Sequence, residues 1–195
     1  MEICKVRKFF LGWVLPLLIA VAVMFVLWLV YHNRIYKVGG DAMSPTLQRG
    51  QTVLVSYDSK IRRGDIVLVN DIFAPQGDAV NHLAFTRCVG LPGDTLKNVS
   101  LPSLYTPLVL PRRGMTVALN YANYMIYKDL MERYEGVNIE WRNGGYYVDG
   151  RQTLRYMFKR SYVYLSNDNV NDLADSRSFG PVPSDVISGK IALDF

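Results

Sequence analysis

The sequence predicts a mainly β domain, an antiparallel sheet interrupted by a mixed α/β insertion and preceded by one N-terminal transmembrane helix. Three observations lead there: an apolar run from Phe9 to Tyr31, a succession of short β-branched runs closed by turn residues, and a single stretch of helical spacing. The 195 residues suffice for one compact domain with an appendage, and not for two large cores.

The run FFLGWVLPLLIAVAVMFVLWLVY, residues 9–31, holds no ionisable side chain before its terminal tyrosine. As a helix it would extend roughly 34 Å at about 1.5 Å per residue, enough to cross a hydrocarbon core of about 30 Å. It is too long for the apolar part of a cleaved signal peptide, and the YHNRIYK that follows lacks the small residues of a cleavage site. Trp13 and Trp28 fall toward its ends, where amphipathic rings favour the interface, and Pro16 is tolerable in a lipid-buried helix. Lys5, Arg7 and Lys8 orient the N-terminus inward, so residues 1–8 are expected in the cytoplasm and residues 32–195 outside it.

Charge agrees with this placement. The formal net charge is +5, of which residues 1–8 carry +2 and Arg34 with Lys37 another +2, both flanking the apolar run. The remaining +1 is expected to be spread over Val38 to Phe195, without the basic stripe of a nucleic-acid surface. The bilayer is the expected partner and nucleic acid is not.

Beyond the anchor, RIYKV (34–38), QTVLVS (51–56), DIVLVN (65–70) and LAFTRCV (83–89) read as strands, the last closed by the turn Pro92-Gly93-Asp94. Within an insertion spanning 97–160, Tyr121 to Tyr134 has helical spacing. Asn120 is placed as its cap, Tyr124, Tyr127, Leu130, Met131 and Tyr134 share a face, and Gly136 stops it. YYVDG after Gly144-Gly145 and YVYL (162–165) are further strands. Cys4 and Cys88 fall on opposite sides of the expected membrane and form no disulfide framework; Cys88, between Arg87 and Val89, reads as a small buried side chain.

Four boxes in order carry a resemblance: AMSPTLQRGQ from Ala42, RRGDIVLV from Arg62, TRCVGLPGDTL from Thr86 and DNVNDLADSRSFGPVP from Asp168. With the N-terminal anchor, the chain resembles the bacterial type I signal peptidases of the S26 family over nearly its whole length. These are membrane-anchored Ser/Lys-dyad endopeptidases that trim signal peptides. The insertion with its tyrosine-rich helix is similar to versions from Bacteroidetes-like bacteria.

The resemblance implies a bacterial inner-membrane protein of one pass, with an extracytoplasmic domain and no cofactor or metal. It also exposes departures. The family's nucleophile precedes Met-x-Pro-Thr and maps to Ala42; its general base precedes Arg and maps to Thr86; the serine that supports the base maps to Leu173. A serine needs a positioned base, and a lysine serves only when burial keeps its amine neutral, so neither replacement can do this chemistry. Three replaced positions argue against one designed inactivating substitution.

Arg87, Asp175 and Arg177, which the family uses to brace the site by charge pairing, are present, as are Met43, Pro45 and Thr46. Ser44 is an alternative nucleophile in the variable position of its motif, constrained by Pro45 and without a placed lysine. His82 lies about 13 Å along a strand from Thr86, too far to replace the base. Lys60 reads as part of a solvated loop. The sequon Asn98-Val99-Ser100 reads as incidental, and Asp168, Asp172 and Asp175 read as turn and ion-pair residues, without calcium-loop spacing.

The expected function is a signal-peptidase-like membrane protein without proteolysis. Ile35 to Gly39 would form an edge strand that accepts an exported segment, with Ile35, Tyr36, Val38, Gly39, Gly40 and Met43 as its binding residues. Exported proteins or their signal peptides are the expected partners, in export or surface assembly. The alternatives are an active peptidase with a rearranged site and a vestigial domain without ligand.

Overall fold

The computed structural model describes residues 12, 14–57, 59–70, 83–97 and 107–194. His82, Cys4 and the sequon at 98–100 lie outside them. Helix α1 spans Leu15–His32, and all its described side chains from Leu15 to Tyr31 are exposed. It takes up the C-terminal part of the apolar run. At 18 residues it is about 27 Å long, and among the described residues no helix is long and apolar enough to cross a membrane.

The chain passes directly from α1 into β1 (Asn33–Lys37), then β2 (Thr52–Ser56), β3 (Ile66–Asn70) and β4 (Leu83–Gly90). The insertion follows with β5 (Thr95–Leu96), β6 (Leu108–Val109), β7 (Thr116–Ala118), α2 (Tyr121–Leu130), β8 (Ile139–Arg142), β9 (Gly145–Val148), β10 (Arg151–Gln152) and β11 (Arg155–Met157). The chain returns through β12 (Tyr162–Ser166), α3 (Ser176–Phe179), β13 (Val182–Pro183) and β14 (Ile187–Asp194). The main sheet has seven antiparallel strands in the order β1-β2-β14-β3-β4-β12-β13, so the expected edge strand, β1, is an edge.

Alternation explains why this sheet is covered on both faces at its centre. In β3, Leu68 joins Val38, Met43, Leu47, Val53, Val55 and Phe85, while Val67 and Val69 pack with Cys88, Val163, Leu165 and Val182. Each such side chain stabilises the fold by about 1.5 to 3 kcal/mol relative to exposure. The β14 ladder shifts register between Ile187 and Gly189. A Cβ at Gly189 would lie 2.8 Å from the Ser56 carbonyl oxygen, so only glycine permits this approach.

The insertion has its own core, in which Tyr127, Leu130, Met131 and Phe158 pack with Tyr162 and Tyr164 of β12. The expected helical face is the buried one. Asn120 caps α2 by accepting from the Asn123 N–H at 2.8 Å. The helix does not remain α-helical to Tyr134: Met131–Glu135 forms one π-helical turn before Gly136 at φ 67° ends it. That wider turn carries Glu135 to a cluster of donors, the hydroxyls of Tyr156 (3.1 Å) and Tyr162 (2.8 Å) and the amides of Lys159 and Arg160. Asn143-Gly144 and Asp149-Gly150, all at positive φ, are the paired residues of tight hairpin turns joining β8 to β9 and β9 to β10.

The charge is less evenly distributed than expected. Residues 97–160 hold ten Lys and Arg against five Asp and Glu, net +5, whereas the rest of the chain beyond Lys37 holds seven against eleven, net −4. The +1 over residues 38–195 is therefore the remainder of two opposed regions.

Candidate peptide groove

The loop after β1 is held to the sheet at Val38, whose N–H donates to the Gln51 carbonyl at 2.9 Å and whose carbonyl accepts from Gly50 N–H at 2.8 Å. Its buried side chain joins Met43 and Leu47 in one core, which fixes the segment between them. Residues Val38 to Met43 then form one wall of a cavity of about 330 Å³. Leu83, Ala84 and Phe85, at the start of β4, form the facing wall, and Asp172 closes one end. β1 and β4 are the first and fifth strands of the sheet, so the sheet must curl to bring them to one cavity.

Both walls present open strand edges. β12 pairs with β4 at Arg87, Cys88 and Gly90, so among the described residues Leu83 to Thr86 have no strand neighbour on that side. Among the described residues β1 has β2 alone as its strand neighbour. Because Val38 directs both backbone groups to Gly50 and Gln51, just before β2, the alternation of an antiparallel pair turns those of Lys37 and Gly39 outward.

The segment 167–177 ties the two walls together. Asn169 donates from its backbone N–H to the Ala42 carbonyl at 2.9 Å and from its side chain to the Asp41 carbonyl at 3.1 Å. Asp168 accepts from the Thr46 hydroxyl at 2.5 Å and, on both oxygens, from Arg87, Nε at 2.8 Å and Nη2 at 2.5 Å. The Arg87 guanidinium beside it holds the Asp168 carboxyl below the usual carboxylate range, and the pairing raises Arg87 in return.

The structure corrects the expected cluster of Arg87, Asp175 and Arg177. Arg87 pairs with Asp168, and Asp175 pairs with Arg177, whose Nη2 lies 2.7 Å from Oδ2. Register accounts for the division. Arg87 stands opposite Ser166 on β12, so its side chain meets the residues just beyond that strand, whereas Asp175 is the N-cap of α3 and folds back on its own helix. Asp175 is fully buried and accepts the N–H groups of Asn167 (2.7 Å) and Arg177 (2.8 Å) besides the guanidinium. Asp172 accepts from Ala174 N–H at 3.0 Å. Each of the three aspartates thus has a turn or ion-pair partner, and among the described residues no group of three or more His, Cys, Asp or Glu is placed to hold a metal.

Of the expected binding residues, Val38, Gly39, Gly40 and Met43 line the cavity; Ile35 is exposed on β1 outside it, and Tyr36 packs against the adjacent core and hydrogen-bonds the Tyr57 hydroxyl. Ala42, at the family's nucleophile position, also lines it. Thr86, at the family's base position, is buried, and among the described residues its Oγ1 is the buried side-chain polar atom without a hydrogen-bond partner. Ser44 is half-buried on the same turn as Ala42, and its N–H donates to the Asp41 carbonyl. Lys60 is exposed, and Lys190 is committed to Asp65 at 2.9 Å and to the Lys60 carbonyl. Leu173 is exposed. Cys88 is buried, its thiol pushed up to about 11 by that burial. Leu83 to Phe85 are not among the expected site residues, and Asp168 and Asp172 are expected only as turn and ion-pair residues, not at the cavity. The alternation in LAFTRCV was the available sign of the first three, while the aspartates need the folded loop to bring them in.

A family model described as signal peptidase, peptidase S26, matches residues 10–195. The chain is similar to Signal peptidase I of Bacillus licheniformis, 36% identical over 89 residues, a region covering 44% of each chain and so less than half of that relative. It is also similar to Signal peptidase IB of Staphylococcus aureus strain Mu50, 23% identical over 205 residues that cover 97% of this chain and 91% of the relative.

Proposed function

From the chain's membership in the signal peptidase family, peptidase S26, we propose that it is a membrane-anchored peptide-binding member that has lost proteolysis. The observation that carries this reading is the cavity between two open strand edges, intact around a position, Ala42, that has no nucleophilic atom. An extended exported segment entering it would add a strand between Gly39 and Leu83 to Phe85, bonding through its main chain. The cavity walls are apolar at Val38, Met43, Ala84 and Phe85, suiting the side chains of such a segment. A lysine general base has no support beside it among the described residues: Thr86 cannot supply a lysine-like amine, and Lys60 and Lys190 are exposed or ion-paired.

The anchor belongs to the same reading. An exposed helix bearing Leu17, Ile19, Met24, Phe25 and Val30 on all sides has no aqueous environment that suits it. With the apolar residues that precede Leu15, it forms the single span of a bacterial inner-membrane protein whose remaining domain is extracytoplasmic. External protease should then degrade residues beyond about Tyr31 while an N-terminal tag stays protected; a protected C-terminal domain would reverse the topology.

The test of the groove places a photoreactive residue at Gly39 or Leu83 of the full chain in membranes, with a signal-bearing precursor and a control site at Lys159. Crosslinking from the groove sites without cleavage supports the proposal. Absence of capture from either site leaves a vestigial domain. Cleavage that Ser44→Ala abolishes means an active enzyme with a displaced nucleophile.

A further inference from the structure

The charge of the insertion is concentrated at one place. Residues 121–155 hold five Lys and Arg against five Asp and Glu, so the net +5 of residues 97–160 resides in Lys97, Arg112, Arg113, Lys159 and Arg160. Four of these five stand on two neighbouring turns. The stretch 111–115 runs beside 158–162: Gly114 N–H donates to the Phe158 carbonyl at 2.8 Å, Phe158 N–H to the Met115 carbonyl at 2.9 Å, Arg113 N–H to the Ser161 hydroxyl at 3.1 Å and Tyr162 N–H to the Pro111 carbonyl at 2.8 Å. Both turns are held in place. Glu135 accepts the amides of Lys159 and Arg160, at 2.9 and 3.1 Å, and Gly114 at φ 82° allows the tight return after Arg113.

Acidic side chains do not balance this cluster. Arg112, Arg113, Lys159 and Arg160 are all exposed, and among the described residues no carboxylate lies within ion-pair distance of the first three. Arg160 has Asp185 at 3.5 Å, a surface pair whose acidic side chain is itself 60% exposed. Among the described residues, the carboxylates bonded to these turns or to the residues flanking them are Glu135, Asp185 and Asp94, and Asp94 is matched by Arg63 at 2.8 Å. Four cations against Glu135 and Asp185 leave +2. Like charges this close repel one another, and an anion of two charges would offset that repulsion.

We propose that these two turns form a site for a phosphate monoester dianion, separate from the residues that line the peptide groove. The charge matches, because a phosphate monoester carries about −1.5 to −2 at neutral pH, whereas a single carboxylate carries one charge. The donors match too. Each guanidinium presents parallel N–H groups that meet phosphate oxygens in pairs, and Lys159 adds a compact point charge. The hydrogen bonds between the turns fix the backbone that carries the four cations before a ligand arrives, which lowers the ordering cost of binding. Two charges on each of two adjoining turns make a compact cluster, unlike the basic stripe that tracks a nucleic-acid backbone. The phosphate is that of a lipid headgroup or of a soluble molecule, and the site does not depend on the groove binding peptide.

The test uses the full chain in phosphatidylcholine nanodiscs, with radiolabelled inorganic phosphate in equilibrium dialysis at fixed, low ionic strength. The expected result is saturable binding of one phosphate per chain, weakened at least about tenfold by Arg112→Gln, Arg113→Gln and Lys159→Gln combined. Without phosphate that combination should melt no lower than the parent, since like-charge repulsion is removed, which separates a lost site from a lost fold. Arg151→Gln with Arg155→Gln, two exposed cations of the balanced stretch, should leave binding unchanged. Discs that also contain phosphatidic acid decide the source: the lipid displaces inorganic phosphate if a headgroup is the ligand, and does not if the ligand is soluble, and either result keeps the site. No binding, binding that does not saturate, or binding that succinate displaces as well as phosphate does overturns the inference. So does binding that survives the triple substitution, or that falls as far with Arg151→Gln and Arg155→Gln.

Discussion

Arg87 and Asp168 form a two-point ion pair, Nε to Oδ1 at 2.8 Å and Nη2 to Oδ2 at 2.5 Å, across 81 positions of sequence. Asp168 also receives the Thr46 hydroxyl, so one carboxylate joins β4 to the turn that carries Ala42. Because Arg87 holds its folded pKa below the ordinary value, ionised Asp168 contributes stability that is present above about pH 4 and lost as pH falls through the folded value. The melting temperature should therefore fall as pH drops below about 4, and Asp168→Asn should lower it at neutral pH while flattening that acid slope. Thermal melts of both chains across pH check this.

Asp175 presents a harder case for substitution because it is fully buried and holds Arg177, the Asn167 amide and the start of α3 together. Asp175→Ala should cost about 3 to 5 kcal/mol, leaving an uncompensated cation and an uncapped helix. Ser44→Ala, on a half-buried turn, should stay within about 0.5 kcal/mol of the parent. Denaturant unfolding of the two variants decides whether the surviving charge pairs are architecture.

Thr86 is predicted to be a stability defect. Its buried Oγ1 lacks a partner among the described residues, and burying such a group costs about 1 to 3 kcal/mol. Thr86→Val keeps the shape and removes the hydroxyl, so it should raise stability by about 1 kcal/mol. A fall instead would mean that the hydroxyl is satisfied in solution.

Restoring chemistry needs both lost groups. Ala42→Ser alone should yield no measurable cleavage of a signal-bearing precursor, since the new hydroxyl has no base. Adding Thr86→Lys places an amine at a buried position, where desolvation favours the neutral form that a base requires. General-base assistance is worth about 100- to 10,000-fold, so the double variant should cleave faster than the single one by a margin within that range. Equal rates would separate Thr86 from the role its place in the motif implies.

How much was legible in sequence follows the range of the interactions. Strands β1 to β4 and β12 of the main sheet, the Asn120 cap and the buried face of α2 were legible, because alternation, capping and three- to four-residue spacing are local consequences of side-chain chemistry, whereas β13 and β14 were not. The π-helical turn at Met131–Glu135 was not, because the donors around Glu135 come from residues 156–162. Nor was the partner of Arg87. The family resemblance groups it with Asp175 and Arg177, whereas strand register turns it to Asp168.

The sequence by itself determined the family, through four boxes in order, and determined that position 42 bears no nucleophile and position 86 no lysine, since chemistry that depends on an atom's presence needs no coordinates. Only the tertiary structure decided that Leu83 to Phe85 face Val38 to Met43 across one cavity. It decided too that Tyr124 of α2 lies against Tyr146 of the β8–β9 hairpin. The physical reason is the curl of the sheet and the packing of α2 on its hairpin: both join segments far apart in the chain through contacts that no local pattern encodes.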